Sequence, residues 1–324
     1  MSAAYPDSPH RRDGWILERR GPRNRLDPNA AAACLLEEEP DGSGAAASIA
    51  TVFLTNRECP WRCLMCDLWR DTLPGDTPRG AIPRQIRAAV AALPLPERGA
   101  RWIKLYNAGS FFDPRAIPPG DDAEIASILA PFERVIVESH PALVGERCVA
   151  LRERLAGSLE VAMGLETVHP EILPRLNKRM STAQFREASD FLLGHGMAVR
   201  AFVLVGLPWL DPREAAEWAV RSAAFAFDCG AGAVSLIPTR TGNGALDALR
   251  AAGEFAAPVL SDLEAAAAGA LRLGRGRVFA DLWDLDRLRA CADCFPARRE
   301  RLRFMNRLQR EGRPVSCASC GGSA

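Results

Sequence analysis

From Ile49 onward, short β-branched or apolar runs alternate with segments of helical spacing, and this alternation limits the possible fold more than any other feature. The runs are 49–54, 101–106, 134–138, 159–165, 199–205 and 233–237. Between them lie 82–93, 121–130, 144–155, 181–194 and 211–227, where apolar residues recur every three or four positions. Strands joined by helices of this length cross over right-handed and build a parallel sheet. Six such strands suit a partial (β/α)6 parallel barrel; a doubly wound open sheet has the same local signature. Two more helical stretches, 244–252 and 259–272, precede a possible seventh strand at 277–282. Residues 1–48 carry Pro, Gly and Arg without a sustained period. The expected organisation is an N-terminal arm (1–48), an α/β core (49–285) and a small cysteine-rich metal-binding appendage (286–324).

The first strand runs directly into TNRECPWRCLMCDLW, which sets Cys59, Cys63 and Cys66 in C-x3-C-x2-C spacing within one loop. Thiolates are the soft ligands that iron–sulfur clusters need. Three cysteines bind three irons of a 4Fe–4S cube and leave the fourth open for chemistry, as an open position does on catalytic zinc. The plainer reading is a structural zinc loop with a distant fourth ligand, but such sites use paired C-x2-C knuckles. A loop after a barrel strand is also where function gathers in these folds.

This spacing after the first strand resembles the radical S-adenosylmethionine superfamily. The resemblance covers roughly residues 49–245. It implies that the open iron chelates S-adenosylmethionine, whose reductive cleavage gives a 5′-deoxyadenosyl radical that takes hydrogen from a substrate. The cofactor carries that chemistry, and the protein positions and shields it. Further elements follow in the family's order. Asn107, Ala108, Gly109 and Ser110 stand where the family has its glycine-rich motif, whose main chain approaches the cofactor's amino group. Glu138, in VESHP, resembles the E-x-x-P element of the coproporphyrinogen-oxidase and Elongator-like branch, where the glutamate contacts the cofactor. Glu166, in GLET, matches a further element of that branch. Lys178, in LNKR, matches the basic residue that reaches the cofactor carboxylate, as a point charge rather than a fork. A G-L-P turn at 206–208 completes the series. Two places depart from it: Met65 replaces an aromatic residue before the third cysteine, and Phe202 stands where some relatives carry an acid. The wording is nearest to the archaeosine-forming radical lyase group and its bacterial homologues, which implies a modified base in tRNA as substrate. A reductase or flavodoxin-type electron donor is implied as partner.

Near the end, Cys291-x2-Cys294 and Cys317-x2-Cys320 form two knuckles around a helical 296–310. Paired knuckles are a tetrathiolate signature, read as structural zinc with a second iron–sulfur cluster as alternative. Cys34, Cys148 and Cys229 read as small buried hydrophobes. With 41 basic and 40 acidic residues the whole-molecule charge decides nothing about partners, but two runs are arginine-rich. One contains Arg11, Arg12, Arg19, Arg20, Arg23 and Arg25; the other lies between the knuckles and contains Arg298, Arg299, Arg301, Arg303, Arg307 and Arg310. Either could grip RNA phosphates, or could be a solvated face. No stretch reaches the roughly 20 apolar residues of a membrane helix, and no leader is evident, so a cytoplasmic protein without a membrane partner is expected. Three functions remain open: a radical enzyme acting on tRNA, one acting on a small molecule or peptide, and a metal-binding module without catalysis.

Overall fold

The computed structural model describes residues 4–94, 100–289 and 291–320. Helix α1 (Pro9–Leu17) is followed by strands β1 (Ala33–Pro40) and β2 (Ala46–Leu54). Then come α2 (Ala81–Ala92), β3 (Trp102–Asn107), α3 (Asp122–Leu129), β4 (Arg134–Ser139), α4 (Glu146–Arg154) and β5 (Ser158–Glu166). The second half contains α5 (Ile172–Arg175), α6 (Thr182–Gly194), β6 (Ala198–Val205), α7 (Ala215–Asp228) and β7 (Ala233–Pro238). It ends with α8 (Ala245–Ala251), α9 (Leu260–Arg272), β8 (Arg277–Ala280) and α10 (Phe295–Leu308).

The eight strands form one sheet in the order β1 to β8. A doubly wound sheet would reverse direction at a switch point. Here the order never reverses, and the sheet curls into a nearly closed barrel. Strands β2 to β8 are parallel, while β1 pairs antiparallel with β2. The six expected core strands are β2 to β7 and the possible seventh is β8. Strand β1 was not expected, because it lies within the stretch that reads as an extended arm.

The apolar core fills the layer between the sheet and its helices: Ile82, Ile86, Leu105, Val137, Val161, Phe185 and Leu263 are all fully buried there. The lumen is filled differently at its two ends. At the end where the parallel strands begin, Arg200, 1% exposed, donates to Glu160 at 2.6 Å and to both oxygens of Glu39 at 2.6 and 2.9 Å. Lys104 bonds Glu37 at 2.7 Å, and Arg277 reaches Glu160 at 3.1 Å. Burial alone would raise the Glu39 carboxyl, but Arg200 and Lys104 hold it well below the usual range. These charges floor the barrel, and they explain β1: its carboxylates face the lumen, where cations from β3, β6 and β8 meet them. Arg277 also donates to the Pro40 carbonyl at 3.3 Å, bridging the seam between β8 and β1.

The outer edge of β8 is capped by side-chain amides of α10 and of the residue that ends it. Asn306 exchanges two 2.8 Å bonds with the Ala280 backbone, and Gln309 bonds the Val278 N–H and carbonyl at 2.7 and 3.0 Å. An edge strand with free N–H and C=O groups invites foreign pairing, and this cap prevents it. Cys148 and Cys229 are buried as expected; Cys34 is exposed, because it sits on the outer face of β1. Among the described residues no helix is long and apolar enough to cross a membrane.

Candidate active site

The functional end of the barrel is the one where the parallel strands finish. Loop 55–73 leaves β2 there and is tied down at several points. The Gln85 amide bonds both the N–H and the carbonyl of Thr55, at 2.8 and 2.7 Å. Leu64, fully buried, donates its N–H to the Leu176 carbonyl at 2.9 Å, and its own carbonyl accepts from Asn243 at 2.8 Å. Glu58 is gripped by Arg20, Arg23 and Arg62. The loop is thus fixed without help from a metal.

Its three thiols sit in a low-dielectric environment. Burial pushes Cys59 up to about 11 and Cys66 up to about 12, and raises Cys63 well above its ordinary value. Free thiols here hold their protons, and metal binding must displace them. Among the described residues, the set gathered closely enough to hold a single metal ion is the tail set.

The loop after β3 lies against them. Gly109 has φ +141°, and a β-carbon on it would stand 3.0 Å from Cys59 Cβ. Only glycine lets this main chain approach the cysteine loop so closely. Beside it, Asn107 is buried with neither its amide nitrogen nor its oxygen partnered by protein. A buried unpaired amide costs free energy unless a ligand satisfies it. Ser110 bonds Ser139 at 3.0 Å, joining the ends of β3 and β4.

Glu138, at the end of β4, is pushed up to about 8 by burial; Glu166 raises it further, while Lys178 and the Asn107 main chain oppose the rise. Glu166 sits at φ +64° where the β5–β6 register shifts, and it is ion-paired with buried Lys178. A β-carbon on Gly164 would collide with both partners. Glu166 and Lys178 therefore act as one unit rather than as two separate contacts.

These residues fit a three-thiolate iron–sulfur cluster carrying an amino-acid cofactor. The thiols share one short loop, a glycine-only main chain lies alongside, an unpartnered amide stands at its edge, and a carboxyl and an ion pair line the mouth. Ala108 is partly exposed within the same loop.

Other parts of the site were not visible in the sequence. His140 stacks on Trp61 of the cysteine loop, with ring centres 3.7 Å apart and planes 9° from parallel. Its Nδ1 accepts from the Ala142 N–H at 3.1 Å, so Nε2 carries the proton and donates to the Lys178 carbonyl at 3.0 Å. Burial lowers His140 to about 4, so the ring is neutral and joins three loops by shape and hydrogen bonds. The N-terminal segment is no loose arm. Tyr5 and Arg12 bond the carbonyls of Arg175 and Pro174, and Asn177 bridges Asp13 to the Arg62 carbonyl. A cavity of about 80 Å³ opens beside the cysteine loop, lined by Met65, Asp67, Leu204, Ile237, Thr239 and Arg240.

The tail places Cys291 Sγ 3.9 Å from Cys317 Sγ, and Cys294 Sγ 4.0 Å from Cys320 Sγ. All four lie within 4.8 Å of one another. The N–H of Cys320 helps lower the Cys317 thiol to about 7. Helix α10 runs antiparallel to β8, since residue 306 meets 280 and residue 309 meets 278. It runs alongside α9: Arg298 and Arg301 pair with buried Glu264, and Arg272 pairs with Glu311. The start of α10 and its cysteine site therefore stand at the mouth end of the barrel.

No family model matches the chain. It is 25% identical to archaeosine synthase subunit beta of Methanosarcina acetivorans over 189 residues, 53% of this chain and 52% of that one. It is 23% identical to an uncharacterised protein of Methanocaldococcus jannaschii over 207 residues, 60% of this chain and 57% of that one. The chain thus spans little more than half the length of these relatives. Among solved structures, methylornithine synthase superposes with a TM-score of 0.50 at 13% identity, covering 71% of this chain and 64% of that one. The coproporphyrinogen III oxidase of Escherichia coli, a radical SAM enzyme, has a TM-score of 0.43 at 11% identity, covering 71% of this chain and 55% of that one. The fold is that of the radical S-adenosylmethionine enzymes.

Proposed function

We propose that the chain is a radical S-adenosylmethionine enzyme whose 4Fe–4S cluster is held by Cys59, Cys63 and Cys66. The observation that carries this reading is the close approach of the Gly109 main chain to Cys59, in the short loop that carries all three thiols. When bound, the cluster and S-adenosylmethionine supply a 5′-deoxyadenosyl radical, with one electron from a reductase or flavodoxin-type donor. The protein supplies the rest. The main chain at 107–110 and the Asn107 amide receive the polar end of the cofactor. Glu138, once deprotonated, offers a carboxylate to its ammonium group, and the Glu166–Lys178 pair presents a cation to its carboxylate. Met65, Leu204 and Ile237 give an apolar wall suited to its adenine.

The test is anaerobic reconstitution followed by electron paramagnetic resonance. The wild-type cluster signal shifts when S-adenosylmethionine is added, and the Cys59/Cys63/Cys66 triple alanine variant shows neither cluster nor shift. A triple variant that keeps the response sinks the reading.

The substrate proposed is a modified base in tRNA, which the archaeosine synthase relative supports. A small molecule or peptide is the second reading. It is favoured by the use of many arginines inside the protein: Arg12, Arg20 and Arg23 hold the N-terminal segment, and Arg298 and Arg301 are spent on Glu264. For the tail we propose zinc. A tetrahedral Zn–S bond of about 2.3 Å sets sulfurs about 3.8 Å apart, whereas an iron–sulfur cube spreads its cysteines further. The spacings of 3.9 and 4.0 Å support the single ion. Ten unpaired cysteines suit a reducing compartment, so the cytoplasm is the proposed location.

A further inference from the structure

Trp283 lies just past the end of β8, on the mouth side, and its side chain is the most exposed large apolar group of the described residues, at 56%. Its main chain is held tightly. The Trp283 N–H donates to Asp281 Oδ1 at 2.9 Å, and its carbonyl accepts from Arg240 at 2.6 Å. Arg240 also pairs with Asp281 at 2.6 Å, and the Asp281 N–H bonds the Leu236 carbonyl at 2.9 Å. A fixed backbone presenting a free indole is a preorganised surface.

The indole begins a file of aromatic rings that leads inward. Trp283 meets Phe53 at 5.9 Å, Phe53 meets Tyr106 at 6.1 Å, and Tyr106 meets Phe202 at 5.9 Å. Tyr106 and Phe202 pack against Trp102 and Ile136 inside the lumen. By strand order the file starts at the β8–β2 side and runs inward to Tyr106 on β3 and Phe202 on β6, the strands next to Glu138 on β4 and Glu166 on β5. The file therefore leads from the rim toward the residues fitted to the cofactor.

We propose that Trp283, backed by Phe53, is a stacking platform that receives a flat nucleobase-type ring of the substrate and guides it toward the lumen. The inference rests on the reading of this mouth as an active site, and it names the substrate's chemistry: a planar heteroaromatic ring, free or carried by RNA. Stacking on an aromatic side chain tolerates any base because every base has a π-face. A tryptophan offers the largest such area at low entropic cost. Trp283 positions the ring and takes no part in bond breaking.

Saturation-transfer NMR with free guanosine and cytidine, and equilibrium binding of unfractionated tRNA, test this on the full chain. Wild type, Trp283→Ala, Trp283→Phe and Phe53→Ala are compared, with circular dichroism confirming that each is folded. Transfer to the nucleoside ring protons is expected in wild type, retained in Trp283→Phe and lost in Trp283→Ala. If the ring arrives on tRNA, Trp283→Ala also weakens tRNA binding by roughly 5- to 150-fold. Nucleoside transfer that depends on Trp283, with no tRNA binding by wild type, refutes the RNA substrate and leaves the platform standing. Equal transfer in wild type and Trp283→Ala, or none in wild type, overturns the platform.

Discussion

The two cysteine sites stand at the same end of the barrel and are built on opposite plans. In the loop, three thiols lie within eight consecutive residues, and the loop is held by Gln85, Asn243 and the arginines around Glu58. In the tail, four thiols come from two knuckles 26 residues apart and converge within 4.8 Å. There the described residues after α10 form no helix or strand, so a metal held by the four thiols would itself be the scaffold. A closed tetrathiolate shell leaves no position for a ligand, whereas a rigid set of three thiols does. Ligand count and convergence thus separate a site for holding from a site for chemistry.

This contrast breaks most directly through metal content. In the Cys291→Ala/Cys294→Ala variant, zinc should fall from about one ion per chain to none. The tail beyond residue 311 should become protease-sensitive, while the loop cluster and its response to S-adenosylmethionine persist. Removing the loop cysteines should do the reverse, leaving zinc in place. Metal analysis of aerobically purified protein decides it: iron with sulfide at the tail would erase the distinction.

A smaller effect sharpens the claim that the loop's surroundings are prebuilt. Breaking the buried Glu166–Lys178 pair on one side should cost about 3–5 kcal/mol, because it strands a buried charge. Replacing both residues should cost less than the sum. Urea denaturation of the two single variants and the double variant measures this; additive losses would mean that the two do not act as a unit.

The next effect is a pH dependence. Folded Glu138 keeps its proton up to about 8, whereas the unfolded chain releases it near 4.5. Between those values the native state binds more protons, so stability of the cofactor-free protein falls as pH rises and levels off above 8. The fall should total at most about 5 kcal/mol, and Glu138→Gln should flatten it. An unchanged slope in that variant would remove Glu138 as its source. S-adenosylmethionine binding should strengthen over the same range, as the carboxylate becomes available to the ammonium group.

The smallest effect concerns tRNA. Changing Arg299, Arg303 and Arg307 to Glu should make the salt dependence of binding shallower by less than about 0.9 per arginine. Arg303 is already paired with Glu300, which reduces its share. Titration of tRNA at several salt concentrations gives the slope; no change excludes α10 as the phosphate-binding face.

Strands β2 to β7 were legible to within three residues, because strands buried on both faces read as apolar runs. The tail cysteine set was legible because each of its knuckles is a local spacing. Strand β1 was not, because Glu37 and Glu39 look like solvent-facing acids. Their partners Lys104, Arg200 and Arg277 lie 65 to 238 residues away, beyond any local pattern. The same cause hid the N-terminal segment: its arginines read as a charge run until Glu58 and the carbonyl of Pro174 are brought to them. The stack of His140 on Trp61 has no sequence signal at all, since aromatic neighbours across loops follow no spacing.

The N-terminal segment closes against the cysteine loop through contacts that join distant parts of the chain. Trp15 and Ile16 pack with Leu64, Leu246, Leu249 and Phe255, and Tyr5 waits for the carbonyl of Arg175. Contacts so distant along the chain close late in folding. The cover over Leu64 in the cysteine loop therefore cannot be complete until residues as far along as Phe255 have folded.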